Sequence, residues 1–326
     1  MFEACRAGIL VIPGGKFSGV QLSQFLAVAN RKGGVGKSTV AVMLAHALAV
    51  WGKKRVLVMD LDSQCNTSYI LLGGEGWRQS KNKGTTIADY FYDMFDGQRP
   101  AARDYILGGA GDVTDDAGKD PTVSILPGSL LLEDVQGELY LMQAKQGTDP
   151  DIVGIRVRQR ISELISRFQK DFDIILLDCP PGLSFAALAA IKTADKVIVP
   201  FRPDYVSQFA VDRVSMLIEE KGLLDDVFAI PEAKRRYVTL ANCVRDGGPD
   251  KVMVEELAAN HPLFETQLPL KNSISDAFHW SPKKKTMAEK YGDGIETLRA
   301  LHKEVESLLS AKVEAPAGGD VGGKAA

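Results

Sequence analysis

A short glycine-rich run, NRKGGVGKSTV, carries the residues best suited to chemistry in this chain. Its glycines are Gly33, Gly34 and Gly36, and Lys37 follows the last of them. Glycines let backbone N–H groups curl around phosphate oxygens, and the start of a following helix adds its dipole. The run is a variant phosphate-binding loop, with two residues instead of the usual four between Gly33 and the final Gly-Lys pair. A second lysine, Lys32, is not required by the general pattern.

Each residue of this loop has a predicted contact. We expect Lys37 to bridge the β- and γ-phosphates, the hydroxyl of Ser38 to bind Mg²⁺, and Thr39 to face the α-phosphate. The backbone of the preceding residues completes the phosphate cradle, namely Gly33, Gly34, Val35 and Gly36. The alternative is an ordinary glycine-rich turn, which the strand and helix patterns on either side disfavour.

Three aspartates follow apolar runs and could serve a metal and a water molecule. Asp178 ends the run FDIILLD, where a carboxylate that holds the water shell of Mg²⁺ is expected. Asp60 and Asp62 end the run KRVLVMDLD. We expect Asp62 to orient an attacking water and Asp60 to support the metal shell. A strand-end turn or a helix cap would also place aspartates at such positions.

Buried strands and amphipathic helices must position these residues. The predicted strands are Gln24–Asn30, Lys54–Asp62, Thr122–Ser129, Phe172–Gly182, Asp195–Phe201 and Arg236–Val244, and the predicted helices between them include Lys37–Trp51, Ile152–Phe168, Ser184–Thr193 and Val206–Lys221. This alternation predicts an α/β fold, a single domain whose mostly parallel twisted sheet has helices on both faces. Ligands of such sheets bind at the carboxyl ends of strands, where the loop and the aspartates fall.

The predicted domain covers residues 24–310. Residues 1–23 form an N-terminal extension, and the small polar residues of 311–326 predict a disordered tail. Residues 73–121, rich in glycine and aspartate, interrupt the alternation and predict a variable excursion with one helix at Thr86–Phe95.

Composition excludes several classes of protein. The net charge of −3 gives no overall attraction to nucleic acid, so DNA binding would need a local basic patch. The four cysteines have no C-x-x-C spacing, which disfavours a disulfide framework or a zinc site and fits a reducing cytoplasm. No apolar run reaches about 18 residues, so no transmembrane helix is expected.

Four segments together resemble the ParA/MinD branch of P-loop ATPases: KGGVGKST, the D-x-D-x-Q-x-N pattern at Asp60–Asn66, ILLDCPPG, and VIVPFRPDYVSQFAVD. The resemblance runs from about residue 24 to residue 309 and implies a single P-loop NTPase domain. It implies ATP and Mg²⁺ as cofactors, hydrolysis to ADP and phosphate that is slow without a partner, and an ATP-bound sandwich homodimer. Ser63 departs from the proline common in the family, and Ser38 stands where threonine is frequent.

The resemblance also gives roles to Lys32 and Asn242. It implies that Lys32 reaches the nucleotide of the other subunit, where a second cation is useful as charge builds up in the transition state. A lysine supplied in this way would couple hydrolysis to dimerisation; the alternative is a surface lysine. Asn242 resembles the family's adenine-contacting asparagine, although it could equally be a turn residue.

Features around this site favour a short ParA-type partition ATPase over other members of the branch. A MinD-like protein would end in a basic amphipathic helix, which is not seen here, so no stable membrane anchor is expected. An iron-protein-like reductase needs paired cysteines, and Cys179 and Cys243 have no evident partners. A long plasmid-type ATPase would carry about 100 further N-terminal residues for operator binding.

The expected protein is therefore cytoplasmic and nucleoid-associated. Its ATP-bound dimer would bind DNA non-specifically, and a ParB-like activator protein would stimulate hydrolysis and release. Alternatives are a related ATPase that positions a protein cargo, and a MinD-like scaffold that uses ATP mainly to dimerise. Non-specific binding depends on phosphate contacts. The candidates are Lys271, preferred, then Lys283, Lys284 and Lys285, with Arg235, Arg236 and Arg245 as further possibilities.

Overall fold

The structure, a computed structural model, describes residues 22–95, 101–145, 149–245 and 247–310. The strands are β1 (Gln24–Val28), β2 (Val56–Asp60), β3 (Leu107–Gly108), β4 (Val113–Thr114), β5 (Val123–Leu126), β6 (Ile174–Asp178), β7 (Lys196–Phe201), β8 (Tyr237–Val244), β9 (Leu268–Pro269) and β10 (Lys285–Thr286). The α-helices are α1 (Lys37–Val50), α2 (Asn66–Asn82), α3 (Ile87–Phe95), α4 (Leu132–Ala144), α5 (Pro150–Ser166), α6 (Phe185–Thr193), α7 (Tyr205–Ile218), α8 (Leu224–Phe228), α9 (Gly248–Ala258), α10 (Asn272–Asp276), α11 (Met287–Tyr291) and α12 (Ile295–Ser310).

Eight strands form the main sheet in the order β3-β5-β2-β6-β1-β7-β8-β9. Strand β3 runs antiparallel to β5, and the other neighbouring strands are parallel. This confirms the predicted α/β fold with a mostly parallel sheet. All six predicted strands are present, whereas β3 and β9 are two-residue strands too short to leave a pattern in the sequence.

Two buried cores lie on the two faces of this sheet. In β1, Phe25 and Ala27 belong to the core formed with α3 to α7, and Leu26 and Val28 to the core formed with α1 and α12. Burial on both faces explains why the strands are continuous apolar runs. It also holds α1, which begins at the phosphate loop, between the sheet and the C-terminal helix.

The described part of the excursion at residues 73–121 contains more helix than predicted. Helix α2 extends into it as far as Asn82, bending at Gly73, whose φ of 68° is left-handed. A Cβ at Gly73 would lie 2.6 Å from Cδ2 of Trp280, so the bend also makes room for an indole from the C-terminal part. The predicted helix at Thr86–Phe95 is found as α3.

Parts of the predicted organisation lie outside the described residues. The predicted tail at residues 311–326 does so entirely, and of the predicted extension at residues 1–23 only Leu22 and Ser23 are described. Among the residues that the structure describes, no helix combines the length and apolar character needed to cross a membrane.

A buried hydrogen-bonded chain joins α7 to β8. The ring of His261 lies between the hydroxyl of Tyr237, 2.8 Å from its Nδ1, and Oδ1 of Asp212, 2.9 Å from its Nε2. Both rings are buried. Buried polar atoms without partners destabilise a fold, so this chain fixes α7 against the sheet.

Replacing Tyr237 with phenylalanine should lower the free energy of unfolding by about 1–3 kcal/mol, because Nδ1 of His261 loses its buried partner. Denaturant titration would measure the change. Tyr92→Phe is the matched control, since Tyr92 is 48% exposed and its substitution should have little effect. Equal stability of the Tyr237→Phe and wild-type proteins would contradict a stabilising role for this chain.

Candidate nucleotide-binding site

The glycine-rich loop connects β1 to α1 and leaves backbone donors open. Gly34 and Gly36 have left-handed φ values of 71° and 91°, which favour glycine. No side chain caps the start of α1, and Cβ atoms at Gly33 or Gly34 would have no neighbour within 4 Å. Free N–H groups at the first turn of a 14-residue helix suit an anion.

Lys37 points into this loop. The residue is buried, and its Nζ donates a hydrogen bond to the carbonyl oxygen of Lys32 at 3.2 Å. Burial lowers the pKa of Lys37, an effect partly offset by the carboxylates of Asp178 and Asp62. A buried ammonium next to two carboxylates and an open glycine loop is suited to binding phosphate oxygens.

Asp178, at the end of β6, offers an oxygen suited to a hydrated metal ion. Its Oδ2 accepts a hydrogen bond from the hydroxyl of Thr67 at 2.7 Å, and its buried Oδ1 has no hydrogen-bond partner among the described residues. Burial raises the pKa of Asp178, although the hydroxyls of Thr67 and Ser38 act in the opposite direction. The orphaned oxygen and the nearby Ser38 hydroxyl fit Mg²⁺, which prefers oxygen ligands and keeps several waters.

This metal site would be completed by groups from outside the chain. No group of three or more His, Cys, Asp or Glu side chains able to hold a metal occurs among the described residues. Phosphate and water oxygens would therefore supply most of the ligands, as is usual for Mg²⁺ beside nucleotides.

Asp60 organises the chain around the site. It lies opposite Asp178 in the β2–β6 register and is fully buried. Its Oδ2 accepts hydrogen bonds from the backbone N–H and the hydroxyl of Ser68, at 2.8 and 2.6 Å, and its Oδ1 accepts from the N–H of Asp62 at 3.3 Å. Burial, followed by the charge of Asp178, raises its pKa. These contacts hold the segment after β2 in place, while direct support of a metal shell stays a prediction.

Asp62 is also buried, two residues further along that segment. Its Oδ1 accepts a hydrogen bond from the N–H of Gln64 at 2.9 Å, and its Oδ2 has no hydrogen bond within the described ranges. Burial raises its pKa, and the charge of Lys37 acts in the opposite direction, so the two side chains are close enough to interact. The next residue, Ser63, instead donates to Oε1 of Glu133 on α4 at 2.7 Å.

Asn242, near the end of β8, holds the phosphate loop through a side-chain hydrogen bond. Its Nδ2 donates to the carbonyl oxygen of Val35 at 2.8 Å, and its Oδ1 accepts from the N–H of Cys243 at 2.9 Å. A Cβ at Gly36 would lie 2.1 Å from this Nδ2, so glycine is required for the close approach. These contacts fix the position of the loop next to β8. The predicted contact of Asn242 with adenine remains a prediction.

Lys32 contacts its own subunit in this structure. Its Nζ lies 2.6 and 2.8 Å from the two carboxylate oxygens of Asp204, which directly precedes α7. Sequence reasoning overlooked this aspartate, together with Thr67 and Ser68. Their signals were present: an aspartate before a helical pattern is typical of an N-cap, and hydroxyl residues directly follow Asn66.

The predicted DNA-binding lysines lie on C-terminal elements, Lys271 directly before α10 and Lys285 in β10. Lys271 forms an ion pair with Asp293 at 3.2 Å, and Lys284 pairs with Asp120 at 2.7 Å. Lys283 is exposed, and Lys285 is half-buried in β10.

Two of the further arginine candidates were wrong. The guanidinium of Arg235 is buried and donates to three backbone carbonyl oxygens, those of Phe228, Ile230 and Asn260. Arg236 similarly donates to three carbonyl oxygens, those of Ile191, Ala194 and Ile218. Guanidinium donors used in this way stabilise the fold and are not offered to DNA. Arg245 is exposed, although it pairs with Asp250.

Curated relatives of this chain include partition and replication proteins. The chain is 25% identical over 300 residues to a putative replication protein A of Rhizobium rhizogenes, an alignment that covers 88% of this chain and 69% of that protein. It is 32% identical over 195 residues to the chromosome partitioning protein ParA of Caulobacter vibrioides. That alignment covers 59% of this chain and only 60% of the Caulobacter protein.

Solved structures share the fold. The ATP complex of a Cyanothece McdA variant has a TM-score of 0.61 at 16% identity and covers 90% of this chain and 98% of that one. MinD of Pyrococcus horikoshii with Mg-ADP has a TM-score of 0.58 at 21% identity and covers 90% and 100%. At these identities the likeness establishes the architecture.

A family match agrees with the site. Residues 23–225, more than half of the chain, match the AAA_31 family, described as an AAA domain. This range includes the phosphate loop and all three aspartates at the strand ends. The chain belongs to this family and is a P-loop ATPase of the ParA/MinD type.

Proposed function

We propose that this chain is a partition or positioning ATPase whose ATP-bound sandwich dimer binds DNA non-specifically. A ParB-like activator would stimulate hydrolysis of ATP to ADP and phosphate and so release the dimer. The proposed place of action is the cytoplasm, on nucleoid DNA. The curated relatives, one of them a chromosome partitioning protein, support this proposal.

The observation that carries the proposal is the grouping of Lys37, Asp62 and Asp178 around an open glycine loop. Lys37 and the loop N–H groups would bind the phosphates, and Ser38 with Asp178 would hold Mg²⁺ and its waters. When bound, Mg²⁺ would neutralise charge on the phosphates. Asp62, with one carboxylate oxygen free, would orient the attacking water.

Exposed apolar side chains around the same edge of the sheet support the dimer. They follow the carboxyl ends of β5, β6 and β7 and are between 41% and 77% exposed: Leu130, Leu131, Leu183, Tyr205, Val206 and Phe209. Clustered exposed apolar residues are typical of protein interfaces. A second copy placed against this edge would cover them together with both nucleotides.

DNA binding would come from the C-terminal lysines. We expect Lys271→Ala to weaken binding to random-sequence duplex DNA and to reduce the salt slope by about 1, because one phosphate contact is lost. The affinity for ATP should not change, since the side chain of Lys271 pairs with Asp293 and makes no contact with the phosphate loop in the described residues. Titration of labelled duplex over a salt series would measure both binding and slope.

Lys221→Ala is the matched control for that experiment. Lys221 is an exposed lysine beyond the end of α7, and its removal changes the net charge equally. An unchanged salt slope in Lys271→Ala, or an equal loss of DNA affinity in both variants, would show that Lys271 is not part of the DNA-binding surface.

A further inference from the structure

A single aspartate of the excursion holds both ends of the basic segment, defined here as residues 281–285. Oδ2 of Asp112 accepts a hydrogen bond from the backbone N–H of Ser281 at 2.8 Å. The carbonyl oxygen of the same aspartate accepts from the backbone N–H of Lys285 at 2.9 Å. Between these two bonds lie three of the proposed DNA-binding lysines. The position of those lysines therefore depends on Asp112.

A buried ion pair strengthens this attachment. Oδ2 of Asp112 also accepts a hydrogen bond from Nζ of Lys290 in α11, and both side chains are only 1% exposed. The same Nζ donates to the carbonyl oxygen of His279 at 3.1 Å, so the chain from His279 to Lys290 closes a loop around the ammonium group. Burial lowers the pKa of Lys290, and the hydrogen bond and charge of Asp112 act in the opposite direction.

Further contacts join the same loop to the excursion. Lys284 forms an ion pair with Asp120 at 2.7 Å, and β10 pairs with β4 in parallel. The indole of Trp280, directly before the basic segment, packs against Gly73, where a Cβ would lie 2.6 Å from Cδ2. The excursion therefore provides the surface against which the basic segment packs.

Helix α11 is fixed independently of Asp112. The hydroxyl of Tyr291 lies 2.9 Å from Nδ1 of His46 in α1, and both rings are buried. Loss of the aspartate would thus leave the ammonium of Lys290 in place without its counter-charge, which is strongly unfavourable in a buried site. Water can reach that ammonium most readily if the basic segment opens, because the helix is held by α1.

We propose that Asp112 is a positioning residue that keeps the basic segment ordered for contact with DNA phosphates. The proposal rests on the proposed function, in which Lys283, Lys284 and Lys285 contribute to the DNA-binding surface. A segment that is ordered before binding loses less conformational entropy when it binds. The excursion, which supplies Asp112, would then serve DNA binding and not the nucleotide site.

Asp112→Ala removes both side-chain attachments of the basic segment. We expect its affinity for random-sequence duplex DNA to fall about tenfold, because the segment must become ordered on binding. The salt slope should stay at the wild-type value, since the same lysines contact phosphates in the bound state. Titration of labelled duplex with ATP and Mg²⁺ over a salt series would measure both. Hydrogen exchange at the N–H groups of Ser281 and Lys285 should become faster as the segment opens.

Two other variants accompany Asp112→Ala. Asp112→Asn keeps an acceptor for the N–H of Ser281 and loses only the charge, so a smaller loss of affinity is expected and the test does not depend on the folding of the alanine variant. Asp173→Ala is the matched control, because Asp173 likewise accepts from a backbone N–H and a cationic side chain, both of Arg55. It changes the net charge equally and should bind DNA normally.

The triple variant Lys283→Ala/Lys284→Ala/Lys285→Ala tests whether Asp112 acts through the basic segment. If it does, adding Asp112→Ala to the triple variant should cause no further loss of DNA affinity. A further loss of similar size would mean that Asp112 acts elsewhere, and would overturn the proposal. Wild-type affinity or a reduced salt slope in Asp112→Ala, with a triple variant that binds DNA weakly, would overturn it alone. A wild-type protein that does not bind DNA with ATP would overturn the proposed function as well.

Discussion

Lys37→Ala is expected to lose ATP affinity by about 100-fold or more, because charge-assisted hydrogen bonds to phosphate are lost from a buried site. The ammonium lies inside the loop, where the carbonyl oxygen of Lys32 is its hydrogen-bond acceptor. Equilibrium titration with a fluorescent ATP analogue would measure the loss.

The apo protein provides an internal control for this variant. Because burial lowers the pKa of Lys37, the folded state disfavours the charged ammonium, and its removal should not destabilise the fold. An undiminished melting temperature would therefore show that lost affinity is not misfolding. Lys53→Ala, which removes an exposed lysine paired with Asp115, should bind ATP normally. Unchanged ATP affinity in Lys37→Ala would remove the phosphate-loop assignment.

Asp62→Ala is expected to bind ATP and dimerise, yet to hydrolyse ATP about 100-fold more slowly, because orienting water contributes to the chemical step and not to affinity. The carboxylate is close enough to Lys37 for their charges to interact, and only one of its oxygens is used by a backbone N–H. Phosphate release at saturating ATP, alongside sedimentation, would separate turnover from assembly.

Ser63→Ala is the matched control for Asp62. Its hydroxyl donates to Glu133, a residue of α4, so the substitution alters the same segment without removing the proposed water-orienting group. We expect turnover close to wild type for Ser63→Ala. Normal activator-stimulated turnover in Asp62→Ala would contradict the role given to that carboxylate.

Strand ends were predictable from the sequence because parallel strands buried on both faces are continuous apolar runs. The residues directly after each run must then lie at one edge of the sheet. This predicts that the loop lies near Asp62 and Asp178, and in the structure Lys37 is close enough to interact with both carboxylates. The pattern could not show that both oxygens of Asp60 are used by Ser68 and Asp62. The direction of a side chain at a strand end depends on neighbours that are distant in sequence.

The basic residues show the same limit. A buried and an exposed arginine cannot be told apart in a sequence. Arg235 is buried, and its guanidinium donates hydrogen bonds to three backbone carbonyl oxygens. Likewise, the N-cap pattern predicts the local role of Asp204, but nothing local predicts an ion pair with a lysine 172 positions earlier. The extent of helix after Gly73 was underestimated, because glycines weaken the helical pattern in the sequence. In the structure, α2 continues past its bend at Gly73 as far as Asn82.

The most direct test of the account is binding to random-sequence duplex DNA across a salt series with ATP, with ADP and without nucleotide. It should compare the wild type with Lys32→Ala. We predict salt-sensitive binding by the wild type with ATP only, and little binding by Lys32→Ala, because non-specific binding depends on phosphate contacts made by the assembled dimer. Equal binding in all nucleotide states, or no binding by the wild type in any of them, would contradict the proposal of an ATP-dependent DNA-binding switch.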